Sequence, residues 1–169
     1  MAPDDVGSDS GTPRWLADAM LGKLARYLRF LGHDTAYVRD LPERELATLA
    51  RSEGRTLLTR DRSLAGRAPS SLLLHESDLP GQLREVARAF PHVPFEVKFD
   101  RCPDCNIPLR PWAKPTKDSD WPTEIPRPLI ESGVPVHECP SCARRYWEGS
   151  HAARIREVVA AAIGGDGLR

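Results

Sequence analysis

Short apolar runs alternate with amphipathic stretches from Arg14 to about Phe90. Trp15-Leu16-Ala17 is a continuous apolar run of strand length, the pattern of a strand buried on both faces. Met20, Leu21, Leu24, Leu28 and Leu31 then recur at the spacing of one helix face, and Gly32 ends the run. Thr35 to Val38 predicts a second strand, Leu46 to Arg51 a helix closed by Gly54, and Thr56 to Thr59 a third strand. Ser71 to Leu74 predicts a fourth strand and Gln82 to Phe90 another helix. This alternation predicts an α/β fold, a parallel sheet with helices on its faces.

The pattern changes at Pro91. Eleven of the 16 prolines lie between residues 91 and 140, where helices are not expected to persist. Periodicity returns with Ile155, Val158, Val159 and Ile163 on one face of a final helix, for which Ser150 is the expected N-cap. The expected organisation is a disordered tail over residues 1–12, an α/β domain over 13–98, a small module over 99–150, and a C-terminal helix and tail over 151–169.

That module carries all four cysteines. Cys102-Pro-Asp-Cys105 and Cys139-Pro-Ser-Cys142 are two C-x-x-C knuckles separated by 33 residues. Each places two thiolates on one tetrahedral metal, and together they complete a closed four-cysteine zinc site of the kind that stabilises a fold. Such a site can order a segment whose own core is small. Disulfides require an oxidising compartment, and the first residues are acidic and polar, without the basic and apolar regions of a signal peptide. A thioredoxin-like redox centre needs one C-x-x-C after a strand, not two in a proline-rich region. No apolar run approaches the roughly 18 residues of a membrane span, so the expectation is a cytoplasmic protein without membrane contact.

Composition narrows the choice of partner. Twenty-four basic and 24 acidic residues cancel, so any nucleic-acid contact must come from a local patch. Arginine greatly outnumbers lysine, which favours bidentate phosphate contacts, although a GC-rich genome produces the same excess.

In open α/β sheets the functional residues collect at the carboxyl ends of the strands. Asp18 follows the first predicted strand, Asp40 the second and Asp61 the third, and Glu43 and Glu45 open the next helix. Carboxylates converging on one edge repel unless a cation neutralises them, and hard oxygen donors suit magnesium or manganese. Such a cation can activate water against a phosphodiester. Each aspartate also reads as a helix N-cap. Lys23, Arg26 and Arg29 recur along the first helix, and Arg60 and Arg62 flank Asp61, so these five could hold RNA phosphates or simply solvate a surface. Arg144 and Arg145 could extend that track or offset the charge of a zinc tetrathiolate. Tyr146 and Trp147 read as the small core of the cysteine module or as a base-stacking pair, and His151 as a structural residue, a phosphate ligand or an acid.

The segments Leu16 to Asp34, Glu53 to Arg62, Arg101 to Asn106 and Tyr146 to His151 resemble, in the same order, the Mut-seven C-terminal RNase domain family, over roughly residues 14–156. The resemblance implies a PIN-like nuclease fold joined to a zinc ribbon, and a metal-dependent ribonuclease. It places Asp18 as the acidic residue after the first strand and Asp61 as that of a T-x-D motif, with Asp18 and Asp61 as magnesium or manganese ligands. Asp40 fits a V-R-D segment, and Glu43 stands where related chains usually carry Asp. Ser63 replaces a second Asp after T-x-D. The alternative reading is a non-catalytic RNA-binding or adaptor protein on the same scaffold, with the ribbon making the contacts.

Overall fold

The computed structural model describes residues 12–117 and 121–164. The disordered tail expected over residues 1–12 therefore falls, apart from Thr12, outside the described residues, as does the end of the expected C-terminal tail. Four parallel strands form the main sheet: β1 (Trp15–Ala17), β2 (Thr35–Tyr37), β3 (Thr56–Thr59) and β4 (Ser71–Leu73), in the order β2-β1-β3-β4. Between them run a 3-10 turn (Ala19–Leu21) leading into α1 (Gly22–Phe30), then α2 (Glu43–Ser52) and the single turn α3 (Arg62–Ala65), with α4 (Leu79–Ala89) after the last strand.

The strands are apolar throughout because both faces are covered. Trp15 and Ala17 face a cluster with Leu24, Leu28, Leu83 and Val86, supplied by α1 and α4. Leu16, between them, turns to the opposite cluster with Leu46 and Ala50 of α2. Leu57 and Leu58 of β3 divide in the same way, as the period of two in a strand requires.

Proline excludes helix less completely than expected from residue 91 to 140. Strands β5 (Arg110–Pro111), β6 (Val136–Glu138) and β7 (Arg145–Trp147) make an antiparallel sheet, and a short helix α5 (Arg127–Glu131) precedes β6. Pro128 is tolerated there as the second helical residue, in a first turn whose amides have no intrahelical partner. The last helix, α6 (Ser150–Ile163), begins on Gly149 with no side-chain cap, so the expected capping role of Ser150 is not seen. Helix α6 returns to the main domain, placing Val159 and Ala162 in the first cluster, and Arg84 of α4 donates to the Ala162 carbonyl at 3.1 Å. Among the described residues no helix is long and apolar enough to cross a membrane.

The turn from α1 to β2 is fixed by polar contacts. Gly32 adopts φ +85°, a conformation that favours glycine, and a Cβ there would also push aside the Asp100 carboxylate, 2.7 Å away. Next to it, buried His33 lies edge-on to Trp15, with ring centroids 4.8 Å apart, and its Nε2–H donates to the Pro94 carbonyl at 2.9 Å. Burial lowers its pKa to about 4 from an ordinary 6.5, although the Pro94 hydrogen bond opposes the shift.

Because the folded protein keeps His33 neutral, protonation favours the unfolded chain. The His33 contribution is complete above pH 6.5 and is lost as pH falls toward 4, to a total on the order of 3 kcal/mol. Denaturant melts from pH 7 to 4 are expected to show this loss, and His33→Gln should flatten the difference from wild type across that window.

Candidate functional site

Two constellations carry chemistry, one at the carboxyl edge of the parallel sheet and one in the ribbon. The sheet reverses its winding between β1 and β3, since β2 lies on one side of β1 and β4 on the far side of β3. Such a switch point opens a crevice beyond the strand ends. Asp18 and Asp61 stand at this switch point.

The Asp18 amide continues the pairing by donating to the Leu58 carbonyl at 3.1 Å, which brings its side chain level with Thr59. One carboxylate oxygen accepts the Met20 amide at 2.9 Å, and the other accepts the Thr59 hydroxyl. That hydroxyl accepts the Asp61 amide at 2.9 Å. Thr59 therefore ties the two aspartates into one network. Asp61 Oδ1 accepts the amides of Ser63 at 2.7 Å and Leu64 at 3.0 Å, leaving Oδ2 without a partner among the described residues. Asp18 is only 5% exposed, whereas Asp61 is half-buried.

Capping and convergence are thus both true of this pair. Asp18 caps the 3-10 turn and Asp61 caps α3. Asp40 does neither, being exposed in the loop after β2, while α2 starts on Pro42 without a side-chain cap. Glu43 and Glu45 are exposed on the first turn of α2, and no hydrogen bond joins Asp40, Glu43 or Glu45 to Asp18 or Asp61 among the described residues.

The basic residues divide. Lys23 and Arg26 are exposed on α1, and Arg26 leans toward the ribbon, with its guanidinium 3.7 Å from the Asp104 carboxylate. Arg29 departs from the expected phosphate-binding row. It is 7% exposed, and its guanidinium donates to the carbonyls of Thr35 (2.8 Å), Pro103 (2.8 Å) and Asp104 (3.1 Å). Burial lowers its pKa, with the Cys102 and Asp104 charges opposing. Arg29 ties β2 to the first cysteine knuckle, with its Nε and Nη1 donors committed to backbone carbonyls. Arg60 is half-buried beside Asp61, and Arg62 is exposed at the start of α3.

The second constellation is built by two matching turns. The Asn106 amide donates to the Cys102 carbonyl, and the Ala143 amide to the Cys139 carbonyl, both at 2.9 Å. The Cys102 amide then donates to Ile107 O at 2.8 Å and the Cys139 amide to Arg144 O at 2.9 Å. Asn106 and Ala143 occupy the left-handed region, at φ 61° and 56°. These two like turns bring four free thiols together, with all Sγ atoms within 4.8 Å of one another. Among the described residues this is the group of His, Cys, Asp and Glu side chains placed to hold a metal ion; the carboxylates of the sheet edge make no such group of three.

The thiols respond to this crowding. Burial raises the Cys102 pKa, but hydrogen bonds from the Tyr146 hydroxyl and the Cys105 and Asp104 amides prevail and take it down to about 7. Burial and the adjacent thiols push Cys105 up to about 12, and burial also raises Cys139. Four thiolates at this separation require a cation, and an all-sulfur tetrahedral donor set fits structural zinc. Tyr146, 3.3 Å from Cys102 Sγ, belongs to this centre. Arg144 pairs with Asp104, and Arg145 with Glu124 and Glu138. Trp147 is half-buried, and His151 is exposed on α6.

The ribbon is docked through its first knuckle. Asn106 Oδ1 accepts the Thr35 amide at 2.9 Å, and Asn106 Nδ2 donates to Asp34 at 2.7 Å. Arg101 donates to the Gly32 carbonyl at 3.3 Å. Burial raises the Asp34 pKa, but hydrogen bonds from Arg55, Asn106 and Arg14 hold it well below the usual carboxylate range.

The sequence profile of the Mut7-C RNAse domain family matches residues 13–159, spanning both the sheet edge and the cysteine cluster. The chain belongs to this family. No curated protein and no solved structure matches it. The Mut7-C match runs through the ribbon and into α6, in keeping with the packing of all three parts.

The structural roles of Thr59, Arg29 and Asn106 escaped the sequence reading. For Thr59 a signal was present, because a threonine two residues before an aspartate can form a local turn with its amide. Nothing local marks Arg29 or Asn106, whose partners lie about seventy residues away.

Two outcomes follow. Elemental analysis of the purified chain should find zinc, and Cys102→Ser should release it. Hydrogen exchange in that variant should then lose protection over residues 100–148 and also over 31–35, against which the first knuckle packs. Separately, Arg29→Ala should cost about 2–4 kcal/mol in denaturant melts, since three carbonyls lose their donor. Lys23→Ala should stay within about 0.5 kcal/mol of wild type.

Proposed function

We propose that this Mut7-C protein is a metal-dependent ribonuclease whose reaction edge is organised by Asp18 and Asp61, with Asp40 and Glu43 on its rim and zinc holding the ribbon. The observation that carries the reading is the Thr59 hydroxyl, which joins the Asp18 carboxylate to the Asp61 backbone amide at the switch point of a parallel sheet, within a family described as an RNase domain. The donor set is all oxygen, and Asp61 keeps one oxygen open, which suits magnesium or manganese. When bound, such an ion acidifies a water and neutralises phosphate charge.

The chain's own residues do the rest. Asp18, locked by Met20 and Thr59, gives a fixed negative charge with little freedom to move. The half-buried Asp61, whose Oδ2 has no partner among the described residues, can orient a water or accept its proton. Arg60 and Arg62, which flank Asp61 in the chain, and Lys23 at the start of α1 offset the charge of the RNA backbone, and Arg26 serves the side nearer the ribbon. A reducing compartment keeps four such thiols available as metal ligands, which supports a cytoplasmic location.

A non-catalytic RNA-binding or adaptor role is the second reading. It is favoured by the near-complete enclosure of Asp18, whose oxygens both accept hydrogen bonds already, and by Ser63 in place of an acidic residue.

Cleavage of a panel of single-stranded and structured RNAs, with magnesium, with manganese and with neither, separates the two. Metal-dependent cleavage is expected from the wild type, and Asp61→Asn should slow it by a factor on the order of 100 or more. Its melting midpoint should hardly change, because asparagine caps a helix about as well as aspartate. A zinc-loaded wild type that leaves every RNA intact would establish the adaptor reading instead.

A further inference from the structure

Three of the chain's four tryptophans, Trp112, Trp121 and Trp147, lie in the ribbon, and all three are only half-buried. Neither apolar cluster of the fold includes them. Ile125 is the one buried leucine, isoleucine or valine described between residues 99 and 150. The aromatic content of this module thus exceeds what its small interior uses.

Two of these rings are arranged together. Trp112 extends the pairing of β5 with β6, its amide donating to the Val136 carbonyl at 2.9 Å. Its ring meets Trp121 edge-on, with centroids 6.4 Å apart and planes at 83°. A cation lies over each indole: the Arg145 guanidinium 5.4 Å from the Trp112 centroid, and the Lys114 ammonium 5.1 Å from that of Trp121. The two cations differ in freedom. Arg145 is held by Glu124 and Glu138, which makes Trp112 a fixed wall. Lys114 is exposed and, among the described residues, pairs with no carboxylate. Among the described residues, the cation over the Trp121 indole is thus one that no carboxylate holds in place.

We propose that Trp112, Trp121 and Lys114 form a stacking site for an unpaired base of single-stranded RNA, with Lys114 taking the neighbouring phosphate. This rests on the reading of the protein as one that acts on RNA, and it adds a contact on the antiparallel sheet, separate from the carboxylate edge. A base stacked on an indole outweighs the exposed cation–aromatic contact it displaces, and the displaced ammonium stays within reach of the backbone. Bases in a duplex have both faces covered by their neighbours, so the site selects single strands. Glu124 and Glu138 beside the rings leave little net positive charge, so stacking supplies most of the affinity. The share of the salt dependence that this site contributes should then be small, near the slope of about 0.7 expected for one phosphate contact.

The test uses the full, zinc-loaded chain carrying Asp61→Asn, without added divalent cation, and a fluorescein-labelled single-stranded RNA of about ten nucleotides. The single strand is expected to bind and quench tryptophan fluorescence, and the duplex of the same length to do neither. Adding Trp121→Leu should weaken binding by roughly 10- to 100-fold and remove most of the quenching, with zinc content unchanged. Lys114→Ala, which asks nothing of the fold, should lower the salt slope by about 0.7. Equal binding by the Trp121→Leu protein at native zinc content overturns the site. So does an unchanged salt slope in Lys114→Ala, a result that decides the matter even if Trp121→Leu loses zinc. Wild-type cleavage that persists alongside such results leaves the nuclease reading standing, whereas stacking without cleavage leaves only this site.

Discussion

A buried guanidinium is tolerable only when its donors are answered, and Arg29 is answered largely by the ribbon. Two of its three acceptors, the carbonyls of Pro103 and Asp104, belong to the first cysteine knuckle. That knuckle holds its shape when a metal neutralises the four thiols behind it. A metal held by those thiols would therefore be coupled to the burial of Arg29 and to the α1–β2 turn. Asn106 strengthens the coupling because its backbone closes the knuckle while its amide side chain satisfies Thr35 and Asp34.

The carboxylate edge obeys a different constraint. Two aspartates beyond adjacent parallel strands would repel if left to themselves, and backbone amides together with a threonine hydroxyl absorb that cost. Donation to the charged form keeps each carboxylate in place before any cation arrives. The arrangement spends most of the lone pairs of Asp18 on structure and leaves Asp61 as the freer partner. The pair is therefore asymmetric, with both oxygens of Asp18 engaged and one oxygen of Asp61 open among the described residues.

Much of the fold was legible in the sequence because its strands are short apolar runs and its helices carry regular stripes. Trp15 to Ala17 and Thr56 to Thr59 appear as anticipated, β2 and β4 each end one residue earlier, and the strands of the ribbon were not anticipated. The α3 turn was not anticipated, since four residues carry no period. The misplaced residue was Arg29. A three-residue step falls about 60° short of a full helical turn, so a row of charges at 23, 26 and 29 slides around the helix. By its third member it has reached the face occupied by Ala25, where a long side chain must find buried acceptors. The cysteines were legible for the opposite reason, since the chemistry of two knuckles leaves few alternatives. Pairings across about seventy residues are beyond any local pattern, and the whole docking surface of the ribbon consists of such pairings.

The chain leaves the main domain after α4, builds the ribbon, and comes back to place α6 against α4. In topological language the ribbon is an insertion and not an appendage, although it reads along the sequence as a second domain in tandem. Val159 and Ala162 complete a core begun at Trp15, so the first and last described elements share one interior. A chain stopped at residue 98 would be missing part of its own wall. A growing chain emerging from a ribosome likewise cannot seal that interior until its last helix is out, by which time the metal-binding turns are already made.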